Sequence, residues 1–174
     1  MTDQSPRWLN LRGRDITPQD LLTGCGVMHP PVPIFELARW LDVRVDFSAN
    51  HADGHMVLSS SALIVLNSRK PAVRQRFTLA HLVAHMLLHT DVVELVEDFN
   101  TRDMGPVAQR RQPHLWERER EADDFAAELL VPSKMLDLDL LEEKWRDPDL
   151  LAQRYQVSPT TMQVRLKELL KPGP

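Results

Sequence analysis

The sequence predicts an α+β fold, in which a small antiparallel sheet is combined with strongly patterned helices. Residues 43–47, 54–58 and 62–66 are short segments with the alternating or apolar character of strands, and serines join the last two. Residues 71–89 and 114–130 have the apolar spacing of helices instead. A chain of 174 residues that carries both kinds of segment fits one domain, or one domain with a small appendage.

Two helices are predicted before the strands. The first covers residues 17–26, with Pro18 near its start and a glycine after its end. The prolines within 29–33 exclude a helix there, because each proline restricts the residue before it. Residues 34–41 then show the i, i+3, i+4 apolar spacing of the second helix.

The second half of the chain is predicted to be largely helical. Residues 90–113 are the exception, because they have no clean period and contain helix breakers, so most of this segment is predicted to be a mobile loop. Residues 133–145 are predicted to be helical. Within 148–170, two short helical patterns flank a Val-Ser-Pro turn, which is the rhythm of a helix-turn-helix unit. We therefore expect a main domain over 1–145 and a C-terminal subdomain over 146–174.

The composition excludes several classes of protein. Hydrophobic residues make up 43% and charged residues 26%, which argues against a disordered or fibrous chain. The net charge of −4 argues against a protein that coats nucleic acid. No apolar run approaches the roughly 18–20 residues of a membrane span, and the first residues do not resemble a signal peptide, so we expect a cytoplasmic protein. The single cysteine excludes an intramolecular disulfide.

The helix predicted over 71–89 has three histidines on one face. Its central part is otherwise almost wholly apolar, which is typical of a buried helix. Because His81 and His85 are one turn apart, both imidazoles can reach one point above the helix, as two nitrogen ligands of a zinc ion would. The alternative is that they are hydrogen-bonded histidines of the core.

A third ligand is expected from the acidic helix over 114–130. Glu121 lies closest to the edge of its apolar stripe, next to Phe125, so packing against the histidine helix would carry it inward. A carboxylate beside two neutral histidines would leave a bound zinc ion with net positive charge, which lowers the pKa of its water toward about 7. The alternative is that the acids of this helix only face solvent.

Other polar residues leave two interpretations open. His89 is either a fourth ligand or, as we favour, a residue with a structural or supporting role. His51 and His55 either line a cleft or lie in a solvated turn, and we favour the turn. Asp123 or Asp124 either orients a ligand histidine through its second ring nitrogen or solvates the helix surface.

FTLAHLVAH at 77–85 and EADDFAAELLVP at 121–132 together resemble the ImmA/IrrE family of zinc metallopeptidase-like proteins. The family shows an H-E-x-x-H helix followed by a helix reading E-A-N-x-F-A-x-x-L-L-x-P, from which the second segment departs only at Asp123. The resemblance implies a zincin-like metallopeptidase core in which zinc is held by His81, His85 and Glu121. It also implies that one strand borders the cleft and binds an extended peptide by strand addition, through Ile64, Val65, Leu66 and Asn67.

The resemblance also implies a class of partner. Members of the family act on helix-turn-helix transcriptional repressors in phage-like elements and stress responses, so we expect a repressor or an antitoxin-like protein as the partner. Residues 148–170 match the family as well, and Arg154 and Arg165 lie within them. Because acidic residues dilute the positive charge of this segment, direct DNA binding is not expected. A membrane partner is not expected either.

One position departs from the family pattern. The glutamate of H-E-x-x-H is the general base, and Leu82 stands at that position. Leucine accepts no proton, and the loss of a general base costs about 10²–10⁴ in rate. Three explanations remain open: a non-catalytic member that still binds its partner, an engineered change, or another carboxylate, such as Glu128, as the base. We expect metal binding to survive and hydrolysis to be impaired.

Overall fold

The computed structural model describes residues 5–49, 52–102, 104–145 and 147–169. A short 3₁₀ helix, Glu143–Trp145, lies among its regular elements. The helices are α1 (Arg7–Leu11), α2 (Pro18–Cys25), α3 (Ile34–Trp40), α4 (Ala72–Leu88), α5 (Pro106–Arg111), α6 (Pro113–Leu130), α7 (Ser133–Leu140), α8 (Pro148–Tyr155) and α9 (Pro159–Leu169). The strands are β1 (Val43–Ser48), β2 (Gly54–Leu58), β3 (Ala62–Asn67) and β4 (Glu94–Glu97). Over these described ranges, no helix combines the length and the apolar character that a membrane span needs.

The fold is α+β, as predicted, but the sheet is mixed rather than wholly antiparallel. Its strand order is β1–β3–β2–β4, in which β1 runs parallel to β3, and β2 runs antiparallel to both β3 and β4. The difference arises because β2 and β3 form a hairpin, and the second strand of that hairpin then lies beside β1. The chain therefore passes over one strand position between β1 and β2.

Part of the segment predicted to be a mobile loop is regular. Strand β4 pairs with β2 and becomes an edge of the sheet, and α5 begins with Pro106 in its first turn. In β4 the side chains of Glu94 and Val96 are exposed and that of Glu97 is buried. Val96 and Glu97 thereby reverse the usual pattern of a strand, in which apolar residues are buried and polar residues are exposed. This short strand therefore carries no periodic signal of its own in the sequence.

The predicted helices before the sheet are present as α2 and α3. The Thr17 hydroxyl accepts a hydrogen bond from the Asp20 backbone N–H at 3.2 Å, and the Asp20 carboxylate accepts one from the Thr17 N–H at 2.9 Å. This reciprocal pair satisfies two N–H groups at the start of α2. Gly26 ends the helix in the left-handed region with φ 72°.

Helix α4 lies at the centre of the molecule. It packs against β2 and β3 on one side and against α6 on another. Gly54 permits the close approach to β2, because a Cβ at that position would stand 2.6 Å from Thr78 Cγ2 and 2.9 Å from Leu82 Cδ1. The face of α4 that carries the histidines is thereby presented to α6 and to the edge strand β4.

The C-terminal segment forms the two predicted helices, α8 and α9. Arg76 on α4 donates hydrogen bonds to the carbonyl oxygens of Gln156 at 3.0 Å and Val32 at 2.8 Å. Arg165 on α9 donates to the carbonyl oxygen of Val131 at 3.2 Å. Both arginines are buried, so these bonds hold α8 and α9 firmly against the helices that carry the histidines and acids.

Candidate metal centre

His81 and His85 lie together on the buried face of α4. Their Nε2 atoms are 3.0 Å apart, and the two residues are 0% and 2% exposed. The one-turn spacing in the sequence produces this proximity, because residues four apart lie one above the other on a helix. Two imidazole nitrogens therefore converge on one point between α4 and its neighbours.

Two glutamates complete the group. Glu119 on α6 places Oε2 3.5 Å from His81 Nε2 and Oε1 3.4 Å from His85 Nε2. Glu97 on β4 places Oε2 3.0 Å from His81 Nε2. One ligand atom from each of the four residues lies within 4.8 Å of all the others. This is a donor set of two nitrogens and two carboxylate oxygens that is suited to a divalent metal ion.

Glu121, the acidic ligand predicted from the sequence, is not part of this group. Its side chain is 64% exposed, and its Oε2 lies 3.1 Å from His89 Nε2. The reason is the rotation of α6, whose inward stripe contains Ala122 and Ala126. Glu119 lies three and seven residues before those alanines, which places it on the same stripe. That spacing is the signal in the sequence that points to Glu119.

His89 supports the group rather than joining it. Its Nδ1 lies 2.9 Å from His85 Nδ1, and its Nε2 lies beside the Glu121 carboxylate. A contact of this kind fixes the orientation of the His85 ring and leaves His85 Nε2 free to face the cluster. The residue therefore takes the supporting position that we favoured over that of a fourth ligand.

Asp123 makes the corresponding contact with His81. Its Oδ1 lies 3.0 Å from His81 Nδ1. This contact at the second ring nitrogen orients the His81 ring, so that Nε2 faces the cluster. Of the two aspartates considered in the sequence, Asp123 is the one at the site. Asp124 instead lies 3.6 Å from Arg120 on the surface of α6.

Burial and the nearby carboxylates shift the pKa values of the two histidines in opposite directions. Burial by itself lowers the pKa of His81, but the contacts with Asp123, Glu119 and Glu97 outweigh it and raise the pKa to about 10. Burial lowers the pKa of His85. Burial would raise the pKa of Glu119, but hydrogen bonds with His81 and His85 lower it instead. Without metal, His81 is therefore an imidazolium at neutral pH, and His85 is neutral.

Arg102 adds a second cation at the edge of the cluster. Its Nη1 donates to Glu119 Oε2 at 2.6 Å and its Nη2 to Asp123 Oδ2 at 2.7 Å. The guanidinium lies 4.6 Å from the Phe99 ring centroid, and Nη1 is 3.4 Å from His81 Nε2. Arg102 thus neutralises part of the acidic charge at the place where a metal ion would do so.

Leu82, at the position of the family's general base, is fully buried. Its side chain is directed at the sheet, against Gly54 of β2. The other carboxylate considered as a base, Glu128, accepts hydrogen bonds from the Ser133 N–H and hydroxyl at 2.9 Å and 2.8 Å. It lies nine residues, or about 13 Å along the helix axis, from Glu119, so it does not reach the cluster.

The predicted peptide-binding strand lies in the interior of the sheet. Ile64, Val65, Leu66 and Asn67 belong to β3, which pairs with β1 on one side and with β2 on the other. A strand paired on both sides has no free edge to which a peptide can add. The Asn67 amide also donates internally to the Ala52 carbonyl oxygen at 2.9 Å. The expectation that these residues bind peptide is therefore corrected, and the edge strand beside the cluster is β4.

The remaining histidines of the strand region do not contribute to the cluster as described. His55 lies within β2 rather than in a turn, and its Nε2 is 2.9 Å from Glu94 Oε1. It points away from α4, because its neighbour Gly54 is the residue that faces α4. His51 lies outside the described residues.

A groove opens beside the cluster. It has a volume of about 750 Å³ and is bounded by β4, by the segment that carries Arg102, and by α5 and α6. Glu97 and Glu119 line one part of it, and the apolar residues Val96, Leu115 and Trp116 line another. The groove therefore connects the four-residue cluster with the free edge of the sheet.

Comparisons with known proteins agree with the fold of the chain. The profile of the Peptidase_M78 family, described as the IrrE N-terminal-like domain, matches residues 41–167. No curated protein is significantly similar to the chain. A Mycobacterium tuberculosis transcriptional regulator of solved structure has a TM-score of 0.60 and 19% identity, over 89% of this chain and 46% of that one. The chain thus spans about half the length of that regulator, and at this identity the likeness shows the fold. Because the profile covers most of the chain and all four cluster residues, the protein belongs to the Peptidase_M78 family of IrrE N-terminal-like domains.

Proposed function

We propose that this protein is a zinc-binding regulatory member of its family, which holds an extended segment of a partner protein beside its metal centre without efficient hydrolysis. The observation that carries the proposal is a buried histidine–glutamate cluster combined with a buried leucine, Leu82, where the general base belongs. His81, His85 and Glu119 would hold the zinc ion, which when bound would supply positive charge beside the groove.

The donor set supports zinc over other common ions. Calcium and magnesium prefer sites built from oxygen ligands alone, whereas this cluster contains two imidazoles. Zinc accepts histidine nitrogen and carboxylate oxygen together and binds such sites more tightly than manganese or iron(II) does. The contacts of His89 and Asp123 with the second ring nitrogens support the same assignment, because ligand histidines are usually oriented in this way.

The absence of a proton acceptor at position 82 supports binding rather than catalysis. The Leu82 side chain neither accepts a proton nor orients a water molecule, and it is fully buried against Gly54 of β2. The missing base would lower the rate of peptide hydrolysis by about 10²–10⁴. The residues that hold the metal are unaffected by this change, so partner binding beside the site is retained.

The edge strand β4 supports an extended peptide as the bound segment. Among the residues that the structure describes, β4 pairs only with β2, so its other side is available to an added strand. Val96 is 60% exposed on this strand and Leu115 is 54% exposed across the groove. These exposed apolar side chains would contact every second side chain of an added peptide strand. The peptide would then lie beside Glu97 and the cluster.

The partner class comes from the family resemblance: a helix-turn-helix transcriptional repressor or an antitoxin-like protein in the cytoplasm. The likeness in fold to a transcriptional regulator supports a regulatory setting. Direct DNA binding is not part of the proposal, because the C-terminal arginines are engaged within the protein. Arg154 pairs with Asp139 at 2.6 Å, and Arg165 is buried.

The test uses the full chain loaded with zinc and the repressor that is encoded nearest to its gene. Co-purification measures capture, and mass spectrometry of the mixture measures cleavage. We expect a stable complex with an intact repressor, weakened by Val96→Lys in the groove and unchanged by Leu138→Lys on the exposed surface of α7. Rapid cleavage by the unaltered chain would identify a competent peptidase, and no capture would exclude this partner class.

A further inference from the structure

We propose that Glu97 is a fourth protein ligand of the metal ion and that it closes the site to water. The inference rests on the proposed function, because it concerns the same zinc site. A fourth protein ligand would account for the metal binding without efficient hydrolysis that we propose above.

The separations of the ligand atoms support four protein ligands. A tetrahedral zinc ion with bonds of about 2.0–2.1 Å has ligand atoms about 3.3–3.4 Å apart. The distances from His81 Nε2 to His85 Nε2 and to Glu97 Oε2 are both 3.0 Å. Those from Glu119 to the two histidines are 3.5 Å and 3.4 Å. Glu97 thus stands as close to His81 as the other ligand atoms stand to one another.

A general base would lie farther from the histidines. A residue that takes a proton from a metal-bound ligand stands outside the first coordination sphere and contacts that ligand rather than the histidine nitrogens. Glu97 Oε2 instead lies directly against His81 Nε2. This position favours coordination over proton transfer.

The burial of Glu97 also requires a cationic partner. Its side chain is 4% exposed, whereas Val96 beside it on the same strand is 60% exposed. A buried carboxylate costs free energy unless it is paired or coordinates a metal. His81 Nε2 lies 3.0 Å from the Glu97 carboxylate, whereas Arg102 Nη1 is 3.8 Å away and is closer to Glu119. Because a ligand histidine must be neutral, a bound metal ion would itself be the cation beside Glu97. Strand β4 exposes a valine and buries a glutamate, and such a departure from the usual pattern is expected where the buried side chain has a function.

Glu97 also lies next to the place where the family's base is missing. Its Cα partner across the β2–β4 ladder is Gly54, the residue against which Leu82 packs. The Glu97 carboxylate therefore reaches the cluster from strand β4, whereas the glutamate of the family pattern would be on helix α4 at position 82. Two carboxylate ligands would balance the two charges of a bound zinc ion, and a fourth protein ligand would take the position that water occupies in catalytic zinc sites.

The test uses cobalt(II) in place of zinc, because its visible spectrum reports the coordination geometry, and azide as a small external ligand. We expect the unaltered chain to give an intense tetrahedral spectrum that azide leaves unchanged. Glu97→Ala should open one position, so that azide alters the spectrum. Glu97→Gln should weaken zinc binding by at least about tenfold in chelator competition. The matched control is Glu94→Gln on the exposed side of the same strand, which should bind zinc normally.

The outcomes separate this inference from the proposed function. If the unaltered chain binds cobalt but azide changes its spectrum, or if Glu97→Gln binds zinc normally, Glu97 is not a ligand while the zinc site remains. If the unaltered chain binds neither metal, the proposed function fails and this inference with it. Should the Glu97 variants lose their circular dichroism spectrum, the azide titration of the unaltered chain decides alone.

Discussion

Gly54 on β2 lies so close to Leu82 on α4 that a Cβ at position 54 would stand 2.9 Å from Leu82 Cδ1. The same glycine is the Cα partner of Glu97 on β4. One backbone position thus links Leu82 on α4 with the carboxylate that reaches the cluster from the strand. The consequences for packing, metal binding and catalysis can each be measured.

The first prediction concerns the packing at Gly54. Gly54→Ala should lower the free energy of unfolding by about 1–3 kcal/mol, because the added methyl group would also stand 2.6 Å from Thr78 Cγ2. Thr78→Ser removes that methyl group and keeps the hydroxyl that donates to the Arg74 carbonyl oxygen. Denaturant unfolding should therefore show partial rescue in the double variant. Strictly additive losses would mean that the two residues do not touch.

The second prediction concerns the restoration of the base. Leu82→Glu alone should lower the free energy of unfolding by at least about 2 kcal/mol. The variant would bury a second carboxylate near Glu97, because Leu82 packs against Gly54 and Gly54 is the strand partner of Glu97. Combining it with Glu97→Gln removes one of the two charges and should recover part of this loss. The zinc-loaded double variant should also cleave the partner faster than the unaltered chain. If the stability loss of the double variant equals the sum of the losses of Leu82→Glu and Glu97→Gln measured separately, positions 82 and 97 are not coupled.

The third prediction follows from the raised pKa of His81. Its pKa of about 10 in the metal-free protein means that the ring is protonated at pH 7, whereas a ligand histidine must be neutral. The pKa of His85 is lowered, so this ring is already neutral. Zinc binding at pH 7 should therefore release about one proton from His81. Calorimetry in buffers of different ionisation enthalpy measures this number, and binding heats that do not depend on the buffer would contradict it.

The fourth prediction concerns Arg102 as a competing cation. Because its guanidinium is bonded to Glu119 and lies 3.4 Å from His81 Nε2, a metal ion must displace it from that position. Arg102→Ala should therefore bind zinc about tenfold more tightly, a difference of about 1.4 kcal/mol. Arg118→Ala serves as the control, because Arg118 pairs with Asp91 away from the cluster. Weaker zinc binding in Arg102→Ala would mean that this arginine helps to build the site.

The fifth prediction concerns the attachment of α9. Arg165→Ala should lower the free energy of unfolding by about 2–4 kcal/mol, since it removes the buried guanidinium that contacts Glu128, Ser133 and the Val131 carbonyl oxygen. Lys167→Ala, at an exposed position of the same helix, should leave stability within about 0.5 kcal/mol. Similar losses of unfolding free energy in both variants would mean that the helix propensity of α9, and not the contacts of Arg165, determines the effect.

The elements that the sequence predicted well are those with a strong local period. The helices around the histidines and around Phe125 follow from their apolar spacing, and the one-turn separation of His81 and His85 follows from helix geometry. The choice between Glu119 and Glu121 depends on the rotation of α6 against α4. The spacing of Glu119 from Ala122 and Ala126 favours Glu119, whereas the position of Glu121 next to Phe125 favours Glu121, so the pattern within α6 does not fix that rotation.

The strand order and the Glu97 site were not predictable in the same way. Whether β3 lies at an edge depends on which strands pair, and alternation within a strand carries no information about its neighbours. Strand β4 is short and buries its glutamate while exposing its valine, so its pattern indicates a loop. The contact of Glu97 with His81 spans 16 residues and exists only once the sheet is assembled.

Zinc content is the measurement that tests the central claim most directly. Elemental analysis of the purified full chain should find about one zinc ion per molecule, with the same value in Glu121→Gln. His81→Ala and Glu119→Gln should each lose most of it, because these residues supply ligand atoms within the cluster. A chain that takes up no zinc, or one that loses it on Glu121→Gln and keeps it on Glu119→Gln, would contradict the account.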